Sequence, residues 1–156
     1  MTFPIKIISG GQSGVDRAAL DAAFALNIEC GGSCPKGRKA EDGPIPDKYP
    51  LTESPSFRYE DRTLQNVLDG DGTLILSWGK LSAGTALTLR LAQKNKKPFL
   101  ILDLQKRITS KKIKEWIQEY QIKTLNIAGP RESHAPGKIY KRAYQVCLKL
   151  LKPGIR

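Results

Sequence analysis

An apolar run, Ile5-Lys6-Ile7-Ile8-Ser9, passes directly into Gly10-Gly11-Gln12-Ser13-Gly14-Val15-Asp16-Arg17. A strand that ends in glycines and opens a helix aims free backbone N–H groups and a positive dipole end at one point, which is chemistry for holding an anion. The spacing is G-G-x-x-G rather than G-x-G-x-x-G, so it points to a phosphate-bearing ligand without being a dinucleotide fingerprint. A tight turn with no ligand is the competing reading. Two more turns carry similar residues: Trp78-Gly79-Lys80-Leu81-Ser82-Ala83-Gly84-Thr85 and Gly129-Pro130-Arg131-Glu132-Ser133-His134-Ala135-Pro136-Gly137. Ser13, Thr85 and Ser133 offer hydroxyls. Arg131 offers a guanidinium fork for phosphate or carboxylate; its alternatives are capping a carbonyl or pairing with Glu132.

A second cluster lies in the loop Gly31-Gly32-Ser33-Cys34-Pro35-Lys36-Gly37-Arg38-Lys39-Ala40-Glu41-Asp42-Gly43. Lys36, Arg38 and Lys39 are cations on a backbone that glycines allow to approach a ligand closely. Glu41 and Asp42 follow at once. They could orient the cations, bind a ligand hydroxyl, hold a hydrated metal, or close a self-satisfied salt-bridged loop. Placed among phosphate-binding cations, either carboxyl is also a candidate catalytic acid or base on a nucleoside phosphate or its glycosidic bond. Further along, Arg62 and Asn66 stand one helical turn apart on a shared face. With one histidine, His134, and with Cys30 and Cys34 lacking two further soft ligands, no metal site is expected. A nucleophile elbow is absent, since Ser13 sits in G-Q-S-G-V, and so is a Walker A motif.

The elements that must position these residues alternate between strand and helix, which predicts an α/β fold with a mostly parallel sheet covered on both faces. Strands are expected at Ile5–Ser9, Ile28–Cys30, Thr73–Ser77, Pro98–Leu104 and Thr124–Ala128. Helices are expected from Ser13, with Asp16 completing a capping-box-like pair, at Phe57–Leu68, from the second turn through Lys94, over 110–121 behind Thr109 or Ser110, and after Gly137. In an open parallel sheet, turns 10–16, 78–85 and 129–137 share the edge at the carboxyl ends of the strands, where ligands bind. Residues 31–55 have no strand or helical period, yet are dense in specific chemistry, so they read as an ordered functional loop.

The 156 residues suit one domain, 1–156, with one core. No apolar stretch approaches the ~18 residues of a membrane span, and no signal peptide is visible at Met1-Thr2-Phe3-Pro4. Three cysteines without a C-x-x-C pair fit a reducing cytoplasm. The net charge of +11 is uneven: residues 1–89 hold 9 Lys/Arg against 11 Asp/Glu, and residues 90–156 hold 17 against 4. Nucleic-acid binding through this basic C-terminal half is one reading. Scattered lysines without interleaved aromatics favour a solvated basic surface instead.

The blocks I-S-G-G-Q-S-G-V-D-R-A-A-L-D (8–21), G-G-S-C-P-K-G-R-K-A-E-D-G-P-I-P (31–46), Y-P-L-T-E (49–53), R-T-L-Q-N-V (62–67), D-G-T-L-I-L (71–76), G-T-A-L-T (84–88) and A-G-P-R-E-S (128–133) resemble the family of proteins named as molybdenum carriers. That family stands within the Rossmann-like superfamily that includes the lonely-guy proteins. Ser13 stands where the family has Thr, Ser33 where an aromatic is usual, and Ala83 where a second glycine often precedes Gly84. The resemblance implies a Rossmann-like three-layer sandwich, a homo-oligomer (dimer or tetramer), and binding of an anionic ligand, with molybdenum cofactor as the carried group. The phosphoribohydrolase branch of the superfamily uses P-G-G-x-G-T-x-x-E. Here the stretch is Leu81-Ser82-Ala83-Gly84-Thr85-Ala86-Leu87-Thr88, with Thr88 in place of the catalytic Glu, which argues against that activity. The expectation is a binding protein for a phosphorylated small molecule, molybdenum cofactor or a related nucleotide. Gly10, Gly11, Gln12, Ser13, Gly14, Asp16, Gly84 and Thr85 would surround the phosphate, and Lys36, Arg38, Lys39, Arg62, Asn66, Arg131 and Ser133 would complete the site.

Overall fold

The alternation in the sequence becomes a parallel sheet between two helical layers in a computed structural model, which describes Pro4 and residues 6–152. In chain order the elements are β1 (Lys6–Ile8), α1 (Val15–Ala25), β2 (Glu29–Gly31), β3 (Ser33–Cys34), β4 (Lys39–Ala40), β5 (Gly43–Pro44), β6 (Thr52–Glu53), α2 (Tyr59–Asp69), β7 (Gly72–Ser77), α3 (Ala83–Lys94), β8 (Phe99–Asp103), α4 (Ser110–Glu119), β9 (Thr124–Ala128) and α5 (Ile139–Leu151). Ile5 and the residues before Pro4, which enter the expected first strand and the signal-peptide reading, lie outside the described residues. No helix among the described residues is long and apolar enough to cross a membrane.

The central sheet has the order β2-β1-β9-β7-β8, and its pairings are parallel throughout. Every residue of β7 is buried, as a strand covered on both faces requires. Ala18, Ala19, Ala22 and Ala23 of α1 are fully buried. Their small side chains let α1 lie close to the sheet and to α5, its main helical neighbour. Counted from β9, the strand order reads 3-2-1-4-5, that of the doubly wound dinucleotide-binding fold. The chain has that architecture with its count begun at the second strand. The reversal of direction, where such folds bind ligands, therefore falls between β9 and β7.

Residues 31–55 are ordered by short pairings that no periodicity announces. Strand β3 runs parallel to β6, with Ser33 opposite Thr52, and β4 with β5 makes a small hairpin, with Ala40 opposite Gly43. Asn66 fastens this loop to α2: its side chain accepts from the Ser33 N–H at 2.8 Å and donates to the Ser33 carbonyl at 2.9 Å. Two expectations need correction. The second strand lies at Glu29–Gly31, one residue later than Ile28–Cys30. The capping box does not form, because α1 starts at Val15 behind Gly14 and Ser13 spends its hydroxyl elsewhere.

Candidate functional site

The three polar turns do share one edge of the sheet, but they differ in what fills them. In the first, four of the backbone N–H groups are already taken. Gly11 donates to the Ser9 hydroxyl, Gln12 to Asp16 Oδ2, Ser13 to Gln12 Oε1, and Val15 to the Pro130 carbonyl. The space that the glycines leave is also taken. A Cβ on Gly10 would stand 1.7 Å from Arg62 Nη1, and one on Gly11 2.5 Å from Leu51 Cδ1. Residues 10–16 are all buried. The anion that this turn holds is its own Asp16 carboxylate.

The open space lies between the second and third turns, at the reversal point of the strand order. It is a crevice of about 320 Å³. Tyr59, Arg62 and Thr63 of α2 form one wall, Ser82–Thr85 and Thr88 of α3 another, and Ala128–Arg131 with Ser133 and His134 the third; Asp16 reaches it from α1. Two sets of donors meet there. Ser82 caps α3 by accepting from Thr85 N, and its hydroxyl lies 2.8 Å from Thr85 Oγ1. Among the described residues the Ala83 and Gly84 N–H groups have no partner, as the first turn of a helix leaves them. A Cβ on Gly84 would meet nothing nearer than the Tyr59 ring at 3.6 Å, so here the protein itself does not fill the glycine's space.

The second donor is Arg62. It is 5 % exposed, its guanidinium lies 4.0 Å from the Tyr59 ring centroid, and Nη1 stands 3.6 Å from Asp16 Oδ2. Its Nε is buried without a hydrogen-bond partner among the described residues. A buried guanidinium with a donor unspent is costly unless something else accepts from it. Burial pushes the Asp16 carboxyl up to about 6, against the pull of Arg62, the Gln12 N–H and Arg17. Below Asp16 and Arg62, a polar void of about 20 Å³ lined by Thr63, Asn66, Thr88 and Asn126 has room for one water.

The raised pKa of Asp16 has a measurable consequence. Between the ordinary carboxyl value and about 6, the folded chain binds the proton more tightly than the unfolded chain does. The Asp16 contribution to stability is therefore greatest at low pH and is lost as pH rises through that window. Urea unfolding of the wild type and Asp16→Asn from pH 4 to 7 is expected to show the wild type losing stability relative to the variant as pH rises. Parallel curves would show that Asp16 titrates normally.

The remaining sequence candidates divide into three groups. Arg131 and Ser133 stand on the crevice rim, where Glu41 meets them. Arg38 turns away: its guanidinium donates to the carbonyls of Ile45, Leu51, Pro46 and Tyr49 and so ties its own loop together. These bonds stand in place of the expected anion contact: all three guanidinium nitrogens are engaged within the loop. Lys36 and Lys39 lie over the exposed Phe57 ring, at 4.8 and 5.7 Å, and line no part of the crevice.

Glu41 and Asp42 are both engaged as anions. Asp42 takes two bonds from Arg17, and these hold its carboxyl below the usual range. Burial raises the Glu41 carboxyl, but bonds from the Ser133 hydroxyl, the Ser13 hydroxyl and the Ser133 N–H, with Arg131 nearby, outweigh it and leave it lowered. Neither is set up to carry a proton at neutral pH. Spacing pairs Tyr59 with Thr63 on α2, as it pairs Arg62 with Asn66, but does not place Tyr59 under Arg62; Thr88, which stands in place of a catalytic Glu, proves to be part of the crevice wall.

A larger hollow of about 610 Å³ lies between α2 and residues 52–56, with Glu53, Asp61 and Asp69 in its walls. It reaches Lys6 and Thr124 at the starting ends of β1 and β9, away from the reversal crevice, and its carboxylates disfavour an anion. Among the described residues no three of His, Cys, Asp and Glu gather as a metal site. The cysteines are buried, and burial pushes the Cys147 thiol up to about 12.

Comparison with known proteins agrees with this architecture. The sequence model of the circularly permutated YpsA SLOG family matches residues 7–151. A crystal structure at 1.45 Å named "Putative molybdenum carrier protein", from Syntrophus aciditrophicus SB, is 47% identical and superposes with a TM-score of 0.91, covering 96% of each chain. No curated protein matches.

Proposed function

The chain belongs to the circularly permutated YpsA SLOG family, and from that premise we propose that it is a carrier that holds a small phosphate-bearing ligand in the crevice between β9 and β7. The observation that carries this reading is the unpaired, buried Nε of Arg62. Arg62 lines the same crevice as the free Ala83 and Gly84 N–H groups at the start of α3. A tetrahedral oxyanion seated there would accept from the guanidinium and from the helix N-terminus together, both charge-favoured donors. Thr85 and Ser82 add hydroxyls.

The neighbour named as a molybdenum carrier favours a molybdenum-bearing ligand. The donors of the crevice suit such a ligand through its oxygens: the phosphate of a molybdopterin-type cofactor, or the oxyanion itself. Direct protein–metal bonds have no comparable support, since the soft thiols are buried and far from ionised. A related nucleotide would present the same phosphate chemistry. The engagement of Glu41 and Asp42 as fixed anions favours holding over acid–base turnover.

Isothermal titration with molybdopterin-type cofactor, molybdate, inorganic phosphate and a nucleotide set tests the reading. Binding tighter than millimolar by at least one is expected; its absence for all would end the proposal. Gly84→Ala sharpens the test. The added methyl meets only the Tyr59 ring at 3.6 Å, and Ala is the better helix former, so thermal stability holds or rises slightly. The methyl projects into the crevice beside the free N–H groups, so affinity is expected to fall about tenfold or more. Unchanged affinity would remove the α3 start from the site.

A further inference from the structure

The hairpin formed by β4 and β5 carries Glu41 and Asp42 at its tip, and both are clasped by other parts of the chain. Asp42 is held by Arg17 of α1, at 3.0 and 3.2 Å. Glu41 reaches the turn after β9. Its Oε1 accepts from the Ser13 hydroxyl at 2.8 Å and the Ser133 N–H at 2.9 Å, and its Oε2 from the Ser133 hydroxyl at 2.6 Å. Arg131 Nε stands 3.8 Å from Oε2. The Glu41 N–H is fixed in turn by Gln12 Oε1 at 2.8 Å. This set of donors would suit a phosphate or carboxylate from solution equally well. The chain fills it with a carboxylate of its own.

Arg131 and Ser133 also line the crevice. A donor that faces both Glu41 and the crevice cannot serve two anions at full strength. Two negative charges brought together on one pair of donors also repel. We infer that Glu41 is an internal competitor for the ligand: the β4–β5 hairpin plugs a second oxyanion subsite beside the crevice, and a ligand with two linked anionic groups displaces the Glu41 carboxylate from Ser133 and Arg131. The inference rests on the crevice being the ligand site. It adds a class of ligand, a diphosphate or other dianion, and a reason for the adjacent acids at the hairpin tip. Asp42 on Arg17 keeps the hairpin attached when Glu41 is released.

Titration of inorganic phosphate and inorganic pyrophosphate into the wild type, Glu41→Gln and Asp42→Asn tests it. Glu41→Gln keeps the shape of the side chain, removes its charge and turns one of its two acceptor oxygens into an NH2 donor, so its hold on Ser133 and Arg131 weakens while Asp42 on Arg17 keeps the hairpin attached. Pyrophosphate is expected to bind Glu41→Gln about tenfold more tightly than wild type, and phosphate to gain less. Asp42→Asn leaves Ser133 and Arg131 engaged and is expected to bind both probes as the wild type does. If pyrophosphate binds Glu41→Gln no better than wild type, or if Asp42→Asn tightens binding equally, Glu41 is a structural brace and the inference falls while the crevice reading stands. If neither probe binds any of the three proteins, the inference falls, and the crevice reading is decided by the cofactor, molybdate and nucleotide titrations.

Discussion

Replacing Arg62 by leucine is expected to weaken binding of phosphate or molybdate by ~100-fold or more, the loss that a buried, charge-assisted pair of hydrogen bonds produces. The reason lies in where α2 places this side chain. Arg62 is held flat on the Tyr59 ring, against Gly10, with Nε unspent and Nη1 3.6 Å from Asp16. Its rotamer freedom is already lost, so an anion gains the guanidinium without having to order it. The substitution also affects the fold. Removing one partner of a buried ion pair costs about 3–5 kcal/mol. The cost here falls toward the lower end, because Asp16, already pushed up to about 6, can take a proton. The double variant Asp16→Asn with Arg62→Leu separates the effects: stability measured in urea recovers, and binding does not. A single variant that binds the anion within about threefold of wild type would show that Arg62 is not the anion's partner.

The second large effect concerns a glycine that serves packing. Gly14 has φ 82°, and a Cβ there would lie 2.5 Å from the Pro130 carbonyl oxygen and 2.7 Å from Glu132 N. Both are backbone atoms of the turn after β9, and neither can move aside as a side-chain end could. Gly14→Ala therefore combines the cost of about 1–3 kcal/mol for a backbone of φ 82° and ψ −128°, which side-chain-bearing residues avoid, with displacement of the β9 turn. The sum, about 3–4 kcal/mol, is a large share of a typical domain's stability. Thermal melting is expected about 10 °C or more below wild type. Gly84→Ala, one methyl added to a glycine of the neighbouring turn, is expected to leave the melting temperature nearly unchanged. Equal melting of wild type and Gly14→Ala would mean that the two turns do not pack as described.

These two glycines also mark how far the sequence could be read. The run Gly10–Gly14 announces a strand–turn–helix, and the turn is there. Whether each hydrogen in place of a methyl faces a ligand or the chain depends on segments distant in sequence: Arg62 for Gly10, Ile45 and Leu51 for Gly11, and Pro130–Glu132 for Gly14. The first turn looked like the cradle because its glycines are the most concentrated. In the fold, Arg62, Leu51, Ile45 and the β9 turn occupy their space. Arg62 and Asn66 could be placed on one face of a helix from their spacing, but not assigned different tasks. Asn66 staples Ser33, and Arg62 reaches the crevice. Arg38 was legible as a cation and illegible as a clasp on four carbonyls, since that depends on a hairpin whose two-residue strands carry no period. The parallel sheet and its five strands were legible because alternation of apolar runs and helical stripes is a local property. The strand order was not, because pairing partners are not.

That order bears on how the chain must assemble. Among the described residues strand β9 is the last in chain order, and it lies in the middle of the sheet, hydrogen-bonded to β1 on one side and β7 on the other. Until residues 124–128 leave the ribosome, the pairs β1–β2 and β7–β8 have no strand to join them, and their inner edges stay bare. Closing the sheet then requires contacts that span more than 100 residues from β1 to β9, the kind that slows folding and lengthens exposure to aggregation. The permuted order thus holds back the joining of the two halves, and with it the completion of the crevice, until β9 has been made.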